Sequence, residues 1–185
     1  VWEALEDGMS RIHAALLGVL KVSAVSWDVF KPEENKALPS TTKPPERSLV
    51  RTGDFLISRA NTAELVGRSV LVDIKPERLI MSDKIIRCEF APSVDRRYVM
   101  YFNRTSTART HYIANASGTS DSMKNLSREA ILHVPMPLPP AAEQKRIVAK
   151  VDQLMALIDN LEVKLRQRDD RAGRLVQAVV GEMVG

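Results

Sequence analysis

The chain has 185 residues, of which 44% are hydrophobic, 27% charged and 5% aromatic, with a formal net charge of +4; this is the balance of one folded domain with room for an appendage. No run approaches the ~20 apolar residues of a membrane span, and no charged-then-apolar leader with a small-residue cleavage site is present, so a cytoplasmic protein is expected. One cysteine and three histidines exclude an internal disulfide and give no zinc-ligand spacing.

In chain order, Trp2 to Leu17 is mixed and suggests a loop with a short helix. Val19 to Trp27 is rich in valine and predicts a strand. Lys31 to Arg47, with Pro32, Pro39, Pro44 and Pro45 among charged residues, predicts an extended surface loop. Arg51-Thr-Gly-Asp54 is a turn signal, and Phe55-Leu-Ile57 after it predicts a short buried strand. Ser58 to Thr62 then forms a polar segment directly off a strand end, where a rigid scaffold commonly presents binding groups.

Val66 to Asp73 predicts a further strand, and Leu79 to Met81 and Lys84 to Phe90 one or two more. Cys88, in the run IIRCEF, is expected to be a buried structural thiol. Several short strands this close together predict a curled, mainly antiparallel sheet. From Val94 to Ala116 the period changes: Val94, Tyr98, Tyr101, Phe102, Thr105, Ala108, Tyr112 and Ala116 recur at three and four. One helix, or two broken near Ser106, is expected, with its aromatic residues in the core. Ser117 to Arg128 is polar and loop-like, and Ile131 to Met136 predicts a last strand. The fold class is therefore α+β.

Charge is placed unevenly. Asp95 to Arg128 carries Arg96, Arg97, Arg104, Arg109, Lys124 and Arg128 against Asp95 and Asp121, so this segment holds the whole net charge. A local cationic excess among polar side chains suits a phosphate-contacting surface, because neutralising phosphates releases condensed counterions. A solvated basic face without a ligand has the same composition.

The C-terminal part is organised by one pattern. Ile147, Val151, Leu154, Ile158, Leu161 and Leu165 alternate spacings of four and three, which keeps a narrow apolar seam on one side of a helix. Pro139 and Pro140 suit the approach to a first helical turn, and Glu143 suits its dipole. A helix from about Ala141 to Met183 would be roughly 60 Å long, with its last third weakened around Asp169, Asp170 and Gly173.

The run VPMPLPPAAEQKRIVAKVDQLMALIDNLE (Val134 to Glu162) closely resembles the junction between a target recognition domain and a conserved helical region in type I restriction-modification DNA specificity subunits. The words GVLKVSAVSWDVFKPEENKAL (Gly18 to Leu38), GDFLISRANTAELVGRSVLV (Gly53 to Val72) and ASGTSDSMKNLS (Ala116 to Ser127) resemble the same family, and together they cover nearly the whole chain. Members of full size carry two recognition domains and two helical regions, whereas 185 residues leave room for one of each, as a half-subunit or a piece of a larger one. The resemblance implies a recognition domain over 1–137 and a spacer and dimerisation helix over 138–185.

On that reading the chain binds double-stranded DNA beside a methyltransferase subunit, using S-adenosylmethionine, and a restriction subunit, using ATP and Mg. Arg59 and Asn61 have the donors that read guanine and adenine edges. They equally suit an ion pair and a turn cap. Thr62, Ser117, Thr119, Ser120 and Asn125 are candidate DNA contacts, and Arg104, Arg109 and Lys124 candidate phosphate contacts. The seam predicts a homodimer with antiparallel helices. The alternative is a coiled-coil scaffold that binds no nucleic acid. With no G-x-G-x-x-G, no N/D-P-P-aromatic tetrapeptide and no phosphate loop, the chain itself is expected to be catalytically inert.

Overall fold

An apolar run without polar alternation suits a strand covered on both faces, and Phe55–Ser58 is buried at all four positions. The computed structural model describes residues 17–26, 29–118 and 123–184, with side chains through Arg174. The expectations for residues 2–16, for Thr119 and Ser120, and for the side chains beyond Arg174 lie outside the described residues.

Among the described residues the strands are β1 (Gly18–Leu20), β2 (Asn35–Ala37), β3 (Phe55–Ser58), β4 (Ala60–Asn61), β5 (Ser69–Leu71), β6 (Leu79–Ile80), β7 (Ile85–Cys88) and β8 (Lys124–Asn125). The helices are α1 (Arg96–Phe102), α2 (Ser106–Asn115), α3 (Arg128–Leu132) and α4 (Ala141–Val184). The chain divides into two compact units, Val1–Ala141 and Ala142–Gly185.

The mainly antiparallel strand pairing expected from the sequence is present and is divided among three small sheets, ordered β2-β1-β6, β5-β3-β7 and β4-β8. All pairings are antiparallel except β1 with β6. Arg59 is where the ladder changes partner: its N–H donates to the Lys84 carbonyl at 2.9 Å, while its own carbonyl accepts from Leu126 N at 2.8 Å. The chain thereby leaves the β3 sheet and pairs with β8.

β3 separates two clusters because successive side chains point to opposite faces. Leu56 packs with Val25, Phe30, Val70 and Val72, and Ile57 with Phe102, Tyr112, Leu126 and Ile131. On β7, Arg87 forms a half-buried pair with Asp54 at 2.7 Å and also donates to the Leu49 and Arg47 carbonyls.

Three expectations change. The valine-rich segment after β1 is a 3-10 turn, Val22–Val25, with Ala24 and Val25 fully buried. Val25 serves burial rather than a ladder, and Ser26 closes the turn by donating to the Val22 carbonyl at 2.6 Å. The expected strand at Ile131 is replaced by α3, whose N-cap Ser127 accepts from Ala130 N at 3.0 Å. The loop from Lys31 to Arg47 contains β2 and enters a 3-10 turn at Glu46–Ser48.

The helical period after Val94 resolves into α1 and α2. Asp95 caps the first by accepting from Arg97 N and Tyr98 N, and Thr105 caps the second by accepting from Ala108 N. The aromatic residues on these helices are largely core, with Tyr98, Phe102 and Tyr112 buried.

α4 begins directly after Pro139 and Pro140, and Glu143 pairs with Arg146 at 2.8 Å across its first turn. It runs unbroken through Gly173 to Val184, so the expected weakening does not interrupt it. Ile147 and Val151 are half-buried, whereas Leu154, Ile158, Leu161 and Leu165 are exposed by 47 to 59%. No described helix is long and apolar enough to cross a membrane.

Candidate nucleic-acid interface

The β4–β8 pair joins the two polar segments singled out in the sequence. Ala60 lies opposite Asn125 and Asn61 opposite Lys124. Ser117 extends the ladder on the far side of β8, its N–H and carbonyl exchanging bonds of 2.9 and 2.8 Å with Asn125. Arg59 to Thr62, Ser117 and Lys124–Asn125, distant in sequence, thus lie together on one small surface. Gly118, at φ +133°, turns the chain away from Ser117, and a Cβ there would meet the Met123 carbonyl oxygen at 2.6 Å.

The side chains on this surface differ in what they are free to do. Arg59 is half-buried, and among the described residues no hydrogen bond or ion pair engages its guanidinium. Ser117 is exposed and Thr62 and Asn125 are half-buried, with the Ser117 hydroxyl donating to the Asn125 carbonyl at 3.3 Å. The Lys124 ammonium donates to the Gly118 carbonyl at 3.0 Å. Thr119 and Ser120, between these residues, are outside the described set.

Asn61 is engaged within the fold. It is buried, its amide nitrogen donates to Ser26 Oγ at 2.8 Å, and its amide oxygen accepts from Thr62 N at 2.9 Å. A buried amide with both ends engaged holds the strand and the following turn rather than reading a base edge. Of the two roles its sequence position left open, the turn cap is the one observed.

Arg109 is engaged within the fold as well. Two of its N–H groups donate to main-chain carbonyls, Val66 at 2.7 Å and Glu64 at 2.9 Å, and its guanidinium carbon lies 5.8 Å from the Tyr112 ring centre. Arg104 lies against another ring, 5.4 Å from the centre of Tyr101. Both arginines sit outside the β4–β8 ladder.

What the sequence missed is the support of this surface. Ser26, in the turn after β1, anchors Asn61 across 35 residues. The Tyr112 hydroxyl donates to Asn103 Oδ1 at 3.0 Å, and the Asn103 amide donates to Ser69 Oγ at 3.0 Å. No local sequence signal marks such long-range polar pairs. The burial of Tyr112 pushes its hydroxyl pKa up, with the Arg109 charge opposing, so it stays a neutral donor.

Residues 45–168 match the family described as Type I restriction modification DNA specificity domain. The chain belongs to that family. It is 32% identical over 164 residues to the Type I restriction enzyme EcoEI specificity subunit of Escherichia coli, covering 88% of this chain and 27% of that one. The EcoKI specificity subunit of Escherichia coli strain K12 is 26% identical over 89% of this chain and 36% of its own length. The Salmonella potsdam StySPI subunit is 27% identical over 70% of this chain and 28% of its own. The chain thus spans about a quarter to a third of the length of these relatives.

A solved chain from work on complex assembly and conformational transition of the type I R-M system superimposes with a TM-score of 0.57. It does so at 23% identity, covering 88% of this chain and 36% of that one. That likeness supports the fold: short strands in small open sheets, followed by a long C-terminal helix.

Proposed function

We propose that this chain recognises half of a bipartite duplex DNA target through the surface where β4 meets β8 and Ser117. The observation that carries the reading is the ladder bringing Arg59 and Thr62 beside Ser117, Lys124 and Asn125, in a member of a DNA specificity family. Arg59 is the base-reading candidate, since an uncommitted guanidinium can bond guanine O6 and N7 together. Lys124 suits phosphate.

The chain contributes recognition and no chemistry of its own. The methyltransferase and restriction subunits of the larger assembly would act where it binds, and S-adenosylmethionine, ATP and magnesium would belong to them. A gel shift with random-sequence duplex at low salt tests the first step. Binding that weakens steeply with salt is expected; no binding at micromolar protein would leave the coiled-coil scaffold as the better reading.

A second element of the proposal concerns α4. Four seam residues exposed by 47 to 59% support pairing with a second copy, with the helices antiparallel. Because each helix starts where its own recognition unit ends, that arrangement would present two readers to a split site. Sedimentation equilibrium at tens of micromolar decides it: a dimer is expected, and a monomer would reserve the seam for a different subunit.

A further inference from the structure

We propose that Arg109 is a positioning residue for target reading, one that holds the turn leaving the contact strand without touching DNA. The inference rests on the recognition reading above and assigns a role to a cation outside the contact surface. The turn begins at Thr62, next to Asn61, and returns to the ladder at Arg68. Leu65 N and Val66 N both donate to the Thr62 carbonyl, at 3.1 and 2.9 Å, and Gly67 N donates to the Ser58 carbonyl at 2.8 Å.

This geometry turns the Glu64 and Val66 carbonyls away from the ladder, and the Arg109 fork donates to both. Gly67 is fixed from the same helix. At φ +78° it packs so closely that a Cβ would lie 2.6 Å from the Tyr112 ring, and Tyr112 in turn lies under the Arg109 guanidinium. Two adjacent contacts from α2, one polar and one steric, therefore set where the Thr62 turn sits. Ser58, whose carbonyl receives Gly67, is the residue before Arg59, so movement of the turn is transmitted to the candidate base reader.

R109K and R109Q variants of the full chain separate this from a phosphate contact. Lysine keeps the charge but has no planar fork to span two carbonyls. Amide exchange at Val66, Gly67 and Arg68 should accelerate by about tenfold or more in both variants while the β3–β7 amides keep their rates. Selection from random duplexes should lose about tenfold discrimination at one target position, with a salt dependence matching the unmodified chain.

Uniform acceleration of exchange, or none, would overturn the proposal. So would an unchanged preferred sequence with a salt slope lowered by about one in R109Q and restored in R109K, the signature of a phosphate contact. The exchange measurement needs no DNA, so an unmodified chain that binds no duplex would count against recognition while exchange still decides whether Arg109 holds the turn.

Discussion

β3 and the middle of α4 are both rich in large aliphatic residues, and they end in opposite environments. Every side chain of Phe55–Ser58 is buried, whereas Leu154, Leu157, Ile158, Leu161, Val163 and Leu165 are each exposed by 47 to 59%. The difference lies in what surrounds them. β3 has strands on both edges and a cluster against each face, all supplied by the same unit. The helix repeats its aliphatic pattern turn after turn, and these side chains are left about half exposed. An apolar period therefore states that a face should be covered, and only tertiary structure states whether the chain covers it.

The sharpest break in that comparison is a cavity at the centre. Leu56 is fully buried, and Leu56→Ala should destabilise the N-terminal unit by about 4 kcal/mol, from lost transfer energy together with an unfilled void. Urea unfolding followed by circular dichroism checks this; a loss below about 1 kcal/mol would show that the two clusters can collapse around the gap.

Gly67→Ala tests the same unit by overfilling it. The new methyl would meet the Tyr112 ring at 2.6 Å on a backbone at φ +78°. Overpacking and left-handed strain together should cost about 3 kcal/mol. Because the residue lies in the turn after the candidate contact strand, DNA affinity measured at a temperature where the variant stays folded should fall as well.

Cys88, on the edge strand β7, samples the boundary between core and solvent. Burial pushes its thiol up to about 11. At pH 8 the thiolate fraction, and with it the alkylation rate by iodoacetamide, should be on the order of a hundredfold below that of an ordinary cysteine. Folding favours the protonated form, so the associated stability is present below the ordinary thiol pKa and is lost as pH rises through about 11. Alkylation as fast as that of a free thiol would mean that β7 opens readily.

How far the sequence discloses this structure follows from range. The Phe55 strand, the helical period after Val94 and the helix after Pro140 are local patterns, and each is present as expected. The valines of the 3-10 turn were misleading because burial in a turn and burial in a ladder select the same residues. α3, with 5 residues, is too short for a period to reveal, although Ser127 followed by Glu129 is the start signal of a helix.

At the candidate site, residue chemistry alone selected both polar segments. It did not separate Arg59, whose guanidinium is uncommitted among the described residues, from Asn61 and Arg109. Those two are engaged by Ser26 and by the carbonyls of Glu64 and Val66, 35 to 45 residues away. Partners at that separation leave no trace in neighbouring sequence.

The smallest expected effect on folding is at the seam, and there the comparison is at its sharpest. Leu154 and Leu161 are already 47% and 59% exposed in the isolated chain, so L154E together with L161E removes little burial within one copy. Surface substitutions of this kind change stability by about 0.5 kcal/mol or less, and both glutamates are good helix formers. The urea midpoint of the N-terminal unit should therefore hardly move, in contrast with Leu56→Ala. Association is another matter: pairing would bury carboxylates without partners, at a cost of several kcal/mol per group unless they protonate. The doubly substituted chain should sediment as a monomer where the unmodified chain sediments as a dimer. Its affinity for a half-site should persist while affinity for a split site falls to the half-site value, because linkage of the two readers is lost. A variant that remains dimeric would place the dimer contact elsewhere than on this seam.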